Sequence, residues 1–546
     1  MVNAAVEKNK DYIIKIDNLG YEGEGVGRIN NFTVFVPGAL PGEEAEIKIV
    51  KVNKNFAFGK LNKIIKQSSD RTEPMCTLKR CGGCQLMHLS YEAQLKFKKQ
   101  RVIDSIERIA KLKDVIIYDT IGMENPYRYR NKAQFPISVQ NGKPVAGFYA
   151  PRSHEIIDTL SCLIQDEVSD KVMDIIKKWA FYNDISIYDE AAGKGLLRHI
   201  MVRKALRTGE VMVAVIINGY DIPHKDKLIA MLKEQVESLK SVVLNINREV
   251  TNVVLGQETK VLYGSPTITD YIGDLKFNIS PLSFFQVNPI QTEVLYSKAL
   301  EYANLTGEET VIDAYCGTGT ISLFLARKAK KVYGVEIVEP AIENAKKNAR
   351  ENNISNVEFI VGKSEEVIPE LYKQGIKADV IVVDPPRKGC DEALLKTIAA
   401  MAPKTVVYVS CDPGTLARDL KYLEENGFKV KEIQPVDMFP VTSHVETVVC
   451  LSRKNPDDRI EIDLSLDELD ITTAESKATY EEIKDYVLKN HSMKVSSLYI
   501  SQVKRKLGLE IGTSYNLPKS EDARVPQCPL NKEKAITEAL NHFSMI

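Results

Sequence analysis

From residue 281 onward the chain repeats one grammar, an apolar β-branched strand followed by a helical stretch. TVIDAYC, KVYGVEIV, VEFIVG, DVIVVDPP, TVVYVSC and FKVKEIQPVDMF recur at regular intervals, and HVETVVCLSRK closes the series. Parallel strands need a crossover of a dozen or more residues, which a helix supplies, and strands apolar on both faces need cover on both sides. The expected fold for 281–455 is therefore a Rossmann-like parallel sheet between two helical layers. Its ligands would bind at the carboxyl ends of the strands.

With 546 residues and about 150 per domain, the chain has room for more than this sheet. Residues 5–65 alternate short strands with turns and end TVFVP and IKIVKVNKNFAFGKLNKII, the pattern of a small β-barrel. Such barrels often carry single-stranded nucleic acid on a basic face. Residues 74–280 hold a cysteine cluster, a helical stretch over 90–113 and mixed α and β runs such as KAQFPISV, GEVMVAVIING and SVVLNIN. An acidic stretch, DDRIEIDLSLDELD at 457–470, then precedes a C-terminal piece, 473–546, with three helical patterns. The fold class expected is thus multidomain α/β, comprising barrel, central α+β region, parallel-sheet domain and short helical extension.

Charge bears on partners. Lys plus Arg number 73 against 74 Asp plus Glu, a net of −1, which excludes a uniformly basic nucleic-acid binder. Residues 47–66 nevertheless carry six Lys and no acid, which allows a local basic surface. No stretch approaches the ~18–20 apolar residues of a membrane helix, and MVNAAVEKNKDY has no apolar signal core. A cytoplasmic protein without a membrane partner is expected.

Four motifs fall at strand ends of the repeating region. In VIDAYCGTGTISLFLA, Gly317 and Gly319 form a tight turn into a helix, so a ligand can approach the backbone. The third glycine of a dinucleotide fingerprint is replaced by Ser322. Glu336 ends the next strand, where a carboxylate can grip ribose hydroxyls, and the pair fits an adenosine-containing cofactor. In VIVVDPPRKGC, Asp384 faces the same crevice, and Pro385 and Pro386 stiffen a loop suited to a flat polar ring. YVSCDPGTLARDL puts Cys411 at a strand end before a helix, where the helix N-terminus is expected to lower its thiol pKa and make it a nucleophile. HVETVV brings Glu446 to the same rim as a candidate general base.

Nine Cys, an odd number without a secretion signal, argue against a disulfide framework. Cys76-x4-Cys81-x2-Cys84, with Cys162, offers four thiolates for an iron–sulfur cluster or structural zinc, and His88 is a further candidate zinc ligand.

Taken together, CGGCQLMHLSYEAQLKFK, YRNKAQFPI, LLRHIMVR, SFFQVNP, DAYCGTGTISL, DPPRKGC, VSCDPGTLARDL and SHVET, in this order over about residues 10–455, resemble the RNA uracil-5 methyltransferases of the 23S rRNA type. The resemblance implies a TRAM-like barrel and a class I methyltransferase domain acting as a monomer on 23S rRNA. It implies S-adenosylmethionine as methyl donor, bound by Gln286, Tyr315, Gly317, Glu336 and Asp384. Cys411 would be the nucleophile, Glu446 the base, and Cys76, Cys81, Cys84 and Cys162 the ligands of a [4Fe-4S] cluster. The 456–546 tail lies outside the pattern, and its Lys504, Arg505 and Lys506 are as compatible with RNA contact as with a structural role.

Three rivals stand beside this reading. One is a tRNA uracil-5 methyltransferase. The second is an RNA cytosine-5 methyltransferase using Cys390 with Cys411, although Cys390 is four residues past the second proline rather than directly after it. The third is a non-catalytic RNA-binding protein.

Overall fold

The computed structural model describes residues 6–78, 80–454, 480–491, 493–507 and 528–543. The acidic stretch at 457–470 lies outside them. The chain divides into two compact units, Met1–Asp458 and Arg459–Ile546.

Five strands, β1 (Asp11–Leu19), β2 (Gly25–Ile29), β3 (Phe32–Val36), β4 (Glu44–Val52) and β5 (Phe56–Lys66), close into a barrel in the order β1-β2-β3-β5-β4. Period-2 alternation puts Ile14, Ile16, Val34, Val36, Ile47 and Ile49 inside. The barrel is fastened to the following linker by Arg71, whose Nε donates to the fully buried Glu43 at 2.6 Å and whose Nη2 donates to the Gly38 carbonyl. Helix α1 (Tyr91–Ser105) follows, and strand β6 (Ile116–Ile117) comes next. Ser90 caps α1 by accepting from the Ala93 N–H.

The central region is a seven-stranded sheet of β7 (Lys132–Gln140), β8 (Lys143–Tyr149), β9 (Ile156–Asp158), β10 (Leu197–Lys204), β11 (Val211–Ile217), β12 (Leu239–Ile246) and β13 (Glu258–Gly264). Helices α2 (Glu167–Tyr182) and α3 (Lys225–Gln235) cover one face, with Trp179, Phe135, Val202 and Leu228 fully buried between. A hairpin, β14 (Ile268–Ile272) with β15 (Leu275–Ile279), and helix α4 (Pro289–Ala303) lead into the last sheet.

That sheet matches the repeating grammar. Its strands are β16 (Thr310–Ala314), β17 (Lys331–Glu336), β18 (Val357–Val361), β19 (Val380–Val383), β20 (Thr405–Ser410), β21 (Phe428–Val436) and β22 (Glu446–Arg453). The order is β18-β17-β16-β19-β20-β22-β21-β6, and the first five are parallel. Helices α5 (Thr320–Ala326), α6 (Glu339–Glu351), α7 (Ser364–Lys373), α8 (Glu392–Met401) and α9 (Pro413–Glu425) link consecutive strands. Separate apolar cores fill the two faces. The order reverses between β16 and β19, and such a switch point opens a crevice at the strand ends. β22 runs antiparallel to both neighbours, so its first residue, Glu446, lies at the same edge as the last residues of the parallel strands.

The sheet is not built from 281–455 alone. β6 pairs in parallel with β21 through Ile116 and Ile117, and α1 packs against α9 and β21. Lys98 of α1 and Asp437, just past β21, form an ion pair with neither side chain exposed, and Lys98 Nζ also donates to the Phe439 carbonyl at 3.0 Å. Such a pair, stripped of water, is strongly destabilising to break from one side.

Among the described residues, the second unit has three helices, α10 (Tyr480–His491), α11 (Ser497–Lys506) and α12 (Leu530–His542), around Ile483, Val487, Ile500, Val503 and Ile536. Among the described residues no helix is long and apolar enough to cross a membrane.

Candidate active site

β16 ends at Ala314, and the turn after it is left-handed three times, at Tyr315 (φ +65°), Gly317 (φ +56°) and Gly319 (φ +79°). Glycine is required at Gly319, because a Cβ there would lie 2.7 Å from the Phe359 ring and 3.0 Å from the Ala345 methyl. At Gly317 a Cβ would meet nothing, since that backbone faces an open cleft. Ser322, at the place of the missing third glycine, is buried and donates to Asp313, whose carboxyl burial pushes up to about 7. Glu336 closes the turn by accepting from the Gly317 N–H at 3.2 Å and the Val338 N–H at 2.9 Å.

The cleft encloses about 910 Å³, within the usual span of small-molecule sites. Gln286, Tyr315, Gly317, Glu336, Asp384, Cys411 and Glu446 all line it, so one site contains every residue singled out for donor binding, nucleophile and base. The Gln286 segment is held from the central sheet. Asn131 donates to the Gln286 carbonyl at 3.0 Å and to the Val287 carbonyl at 2.8 Å, and Asn288 caps α4. Phe284 and Phe285 take opposite roles. Phe285 is 2% exposed and packs against Phe277, whereas Phe284, 66% exposed, stands at the cleft wall.

The electrostatics correct one expectation. The Cys411 thiol is pushed up to about 12, not down, by burial first and then by Glu446 and Asp384, with Arg387 opposing. The α9 terminus does not help the thiol because Asp412 Oδ1 already accepts from the Gly414 and Thr415 N–H groups, at 2.9 and 3.0 Å. Asp384 is pushed up to about 7 by burial, and Glu446, 5% exposed, is raised well above the carboxylate range by burial and by Asp384. The cleft floor is thus a set of proton-holding groups rather than a row of fixed anions.

Sequence reasoning passed over three cleft residues. Arg387 follows the diproline directly, lines the cleft, and its charge opposes the rise in pKa at both Cys411 and Glu446. His444, two residues before Glu446, is held neutral by burial, its pKa near 4. Arg130 reaches the cleft wall from the segment before β7. A basic residue fixed just behind Pro385-Pro386 was a readable signal, but nothing local in YRYRNKAQ pointed to a cleft several hundred residues away.

Cys390 sits outside the cleft. It is 6% exposed, its N–H donates to Asp419, and burial pushes its thiol far up. The two-cysteine arrangement of a cytosine-5 enzyme is therefore not assembled.

The four remaining candidate cysteines are neighbours but do not form a ready metal site. Cys84 is pushed up to about 12 by burial and then by Cys162, Cys81 and Cys76, so the four thiols lie within electrostatic reach. Among the described residues, however, no three or more His, Cys, Asp or Glu are arranged to hold a metal ion. Protonated thiols have no attraction to a common centre and thiolates repel one another, so only a cation draws such a set together. The donor chemistry, four sulfurs, fits an iron–sulfur cluster. His88 does not join them, since its charged neighbours are Arg71 and Glu43 and burial lowers its pKa to about 4.

Comparison with known proteins agrees with this geometry. The family tRNA (Uracil-5-)-methyltransferase matches residues 90–454, and the TRAM domain matches 5–61. An uncharacterized RNA methyltransferase of Clostridium tetani is 60% identical over 448 residues, covering 82% of this chain and 97% of its own. One from Clostridium acetobutylicum is 58% identical over 451 residues, covering 82% and 98%. Among solved structures, the Pyrococcus abyssi tRNA (uracil-54, C5)-methyltransferase in complex with S-adenosyl-L-homocysteine superposes with a TM-score of 0.66 at 28% identity, over 81% of this chain and 100% of that one. With its barrel, its methyltransferase sheet and its strand-end cleft, the chain belongs to the RNA uracil-5 methyltransferase family, whose members draw their methyl group from S-adenosylmethionine.

Proposed function

We propose that the protein, as a cytoplasmic monomer, methylates carbon 5 of uridine in 23S rRNA through a covalent bond between Cys411 and carbon 6 of the base. The observation that carries this reading is the meeting of Cys411, Glu446 and Asp384 with the glycine turn in one cleft.

Carbon 5 of uracil is too poor a nucleophile to attack a sulfonium methyl unaided. Cys411, as thiolate, adds to carbon 6 and turns the ring into an enolate with electron density on carbon 5. S-adenosylmethionine, when bound, would supply the electrophilic methyl and leave as S-adenosylhomocysteine; Gln286, Tyr315, Gly317, Glu336 and Asp384 would hold it. Glu446 then takes the proton from carbon 5, the electron pair reforms the 5,6 double bond, and Cys411 leaves as thiolate. Because burial pushes the Cys411 thiol up, it needs an acceptor for its proton; Asp384, raised to about 7 and so partly ionised near neutral pH, takes it and leaves Glu446 for the proton on carbon 5. The target base must leave its stack, at a few kcal/mol, so loops and bulges are the preferred targets. The exposed ring of Phe284 is placed to stack on it, an interaction worth about 1–3 kcal/mol.

A tRNA target is the second reading, favoured by the Pyrococcus abyssi likeness. Mapping 5-methyluridine in the rRNA and tRNA of a deletion strain separates the two. Loss at one or more 23S sites is the expected result, and loss confined to tRNA would move the assignment.

The cluster belongs to the same proposal. Cys76, Cys81, Cys84 and Cys162 would hold [4Fe-4S], which when bound clamps the 76–84 loop to the 162 loop without taking part in transfer. Protein purified without oxygen is expected to contain iron and sulfide, and Cys84→Ser to lose both while lowering thermal stability. Zinc in their place, or neither, would remove the cluster from the account.

A further inference from the structure

The barrel touches the reaction loops directly. Tyr21, in the turn between β1 and β2, donates its hydroxyl to Asp412 Oδ2 at 2.5 Å. Asp412 is the residue after Cys411, and its other oxygen caps α9. The Tyr21 ring in turn carries the Arg101 guanidinium, 4.0 Å from the ring centroid. Arg101, on α1, is only 8% exposed and donates to the Ser443 carbonyl, three residues before Glu446. One aromatic side chain of the barrel thus braces both the loop that bears Cys411 and, through Arg101, the loop that bears Glu446. The turn itself has no slack, because a Cβ on its left-handed Gly23 would lie 2.6 Å from Leu86, and the Leu86 N–H is bonded to the Val441 carbonyl at 2.9 Å.

Building on the proposed reaction, we propose that Tyr21 is a positioning residue, through which the barrel sets the separation of nucleophile and base. Tyr21 is 57% exposed even while it makes both contacts, so RNA lying along the barrel turn reaches the brace itself. A charge-assisted hydrogen bond of this kind confines a carboxylate strongly. A cation lying over an aromatic face adds a second restraint. Binding on the barrel and methyl transfer in the cleft then become one coupled event, with no movement of the sheet required.

The test is Tyr21→Phe, which deletes only the hydroxyl and keeps the ring under Arg101. Single-turnover methyl transfer at saturating RNA and S-adenosylmethionine is expected to fall about tenfold, the size of one charge-assisted hydrogen bond. The RNA dissociation constant should stay within a factor of two or so of the unaltered enzyme. A second readout needs no RNA: the rate at which iodoacetamide alkylates Cys411, followed by peptide mass spectrometry across pH. It should slow in Tyr21→Phe while alkylation of Cys450, within β22 and making none of the brace contacts, does not change. Weakened RNA binding with an unaltered rate at saturation would overturn the proposal and make Tyr21 a plain RNA contact. An unaltered rate and an unaltered alkylation profile would overturn it too. If the unsubstituted enzyme itself forms no 5-methyluridine, the proposed function fails first, and the alkylation readout still judges the brace.

Discussion

Cys411→Ala is expected to reduce methyl transfer to uridine to less than about 10⁻³ of the unaltered rate, the scale seen when a covalent catalyst is removed from its machinery. The reasoning is chemical. Without addition at carbon 6 the ring never becomes an enolate; Cys390 lies outside the cleft, and Cys316, which lines it, is 6% exposed with its thiol held well up by burial. Folding should survive. Cys411 is only half-buried, and its neighbours Ser410 and Asp412 make the hydrogen bonds that shape the turn. Circular dichroism and S-adenosylhomocysteine binding should therefore match the unaltered protein, while incorporation of labelled methyl into RNA disappears. Transfer that persisted would dismiss Cys411 as nucleophile.

Glu446→Gln should act later and differently. The amide keeps the size of the carboxyl in a site that is 5% exposed, so packing is preserved. Addition and methylation need no base at carbon 5, but release does. Turnover should fall by about 10²–10⁴, the usual worth of a positioned base. The methylated RNA should remain attached to the protein, visible as a band of retarded mobility on a denaturing gel. Loss of turnover with no attached RNA would instead place Glu446 at an earlier step, such as deprotonation of the Cys411 thiol. The raised pKa of this carboxyl makes that assignment a reasonable competitor, and the gel decides between them.

The repeating sheet was legible because β-branched runs such as VIVV and TVVYVS are buried on both faces and admit little else. The cleft was legible for a related reason: in a doubly wound sheet, strand ends converge, so motifs at strand ends can be placed together without knowing a single contact. What stayed hidden depended on long-range pairing. Ile116 and Ile117 form only a two-residue strand, too short to show a period, yet they complete the sheet edge beside β21. The rise rather than fall of the Cys411 pKa was hidden too, because it turns on Asp412 claiming the helix donors and on two carboxyls arriving from β19 and β22. Likewise Arg130 and Tyr21 carry no local mark of their nearness to the cleft. The thiols show the converse: spacing in sequence announced them, while the geometry that would hold an ion has no local cause until the ion is there.

The ion pair of Lys98 with Asp437 also has a bearing on the birth of the molecule. The two residues are 339 positions apart, so Lys98 leaves the ribosome long before its partner exists. At ~5–20 residues per second the wait is roughly 17–70 s. During that time the barrel strands, complete by Lys66, have already emerged, while Lys98 still lacks Asp437 and α1 still lacks the β21 it packs against. A nascent chain can therefore gain a hold on RNA before it can alter it, and the power to modify arrives only when translation has passed the last strand of the sheet.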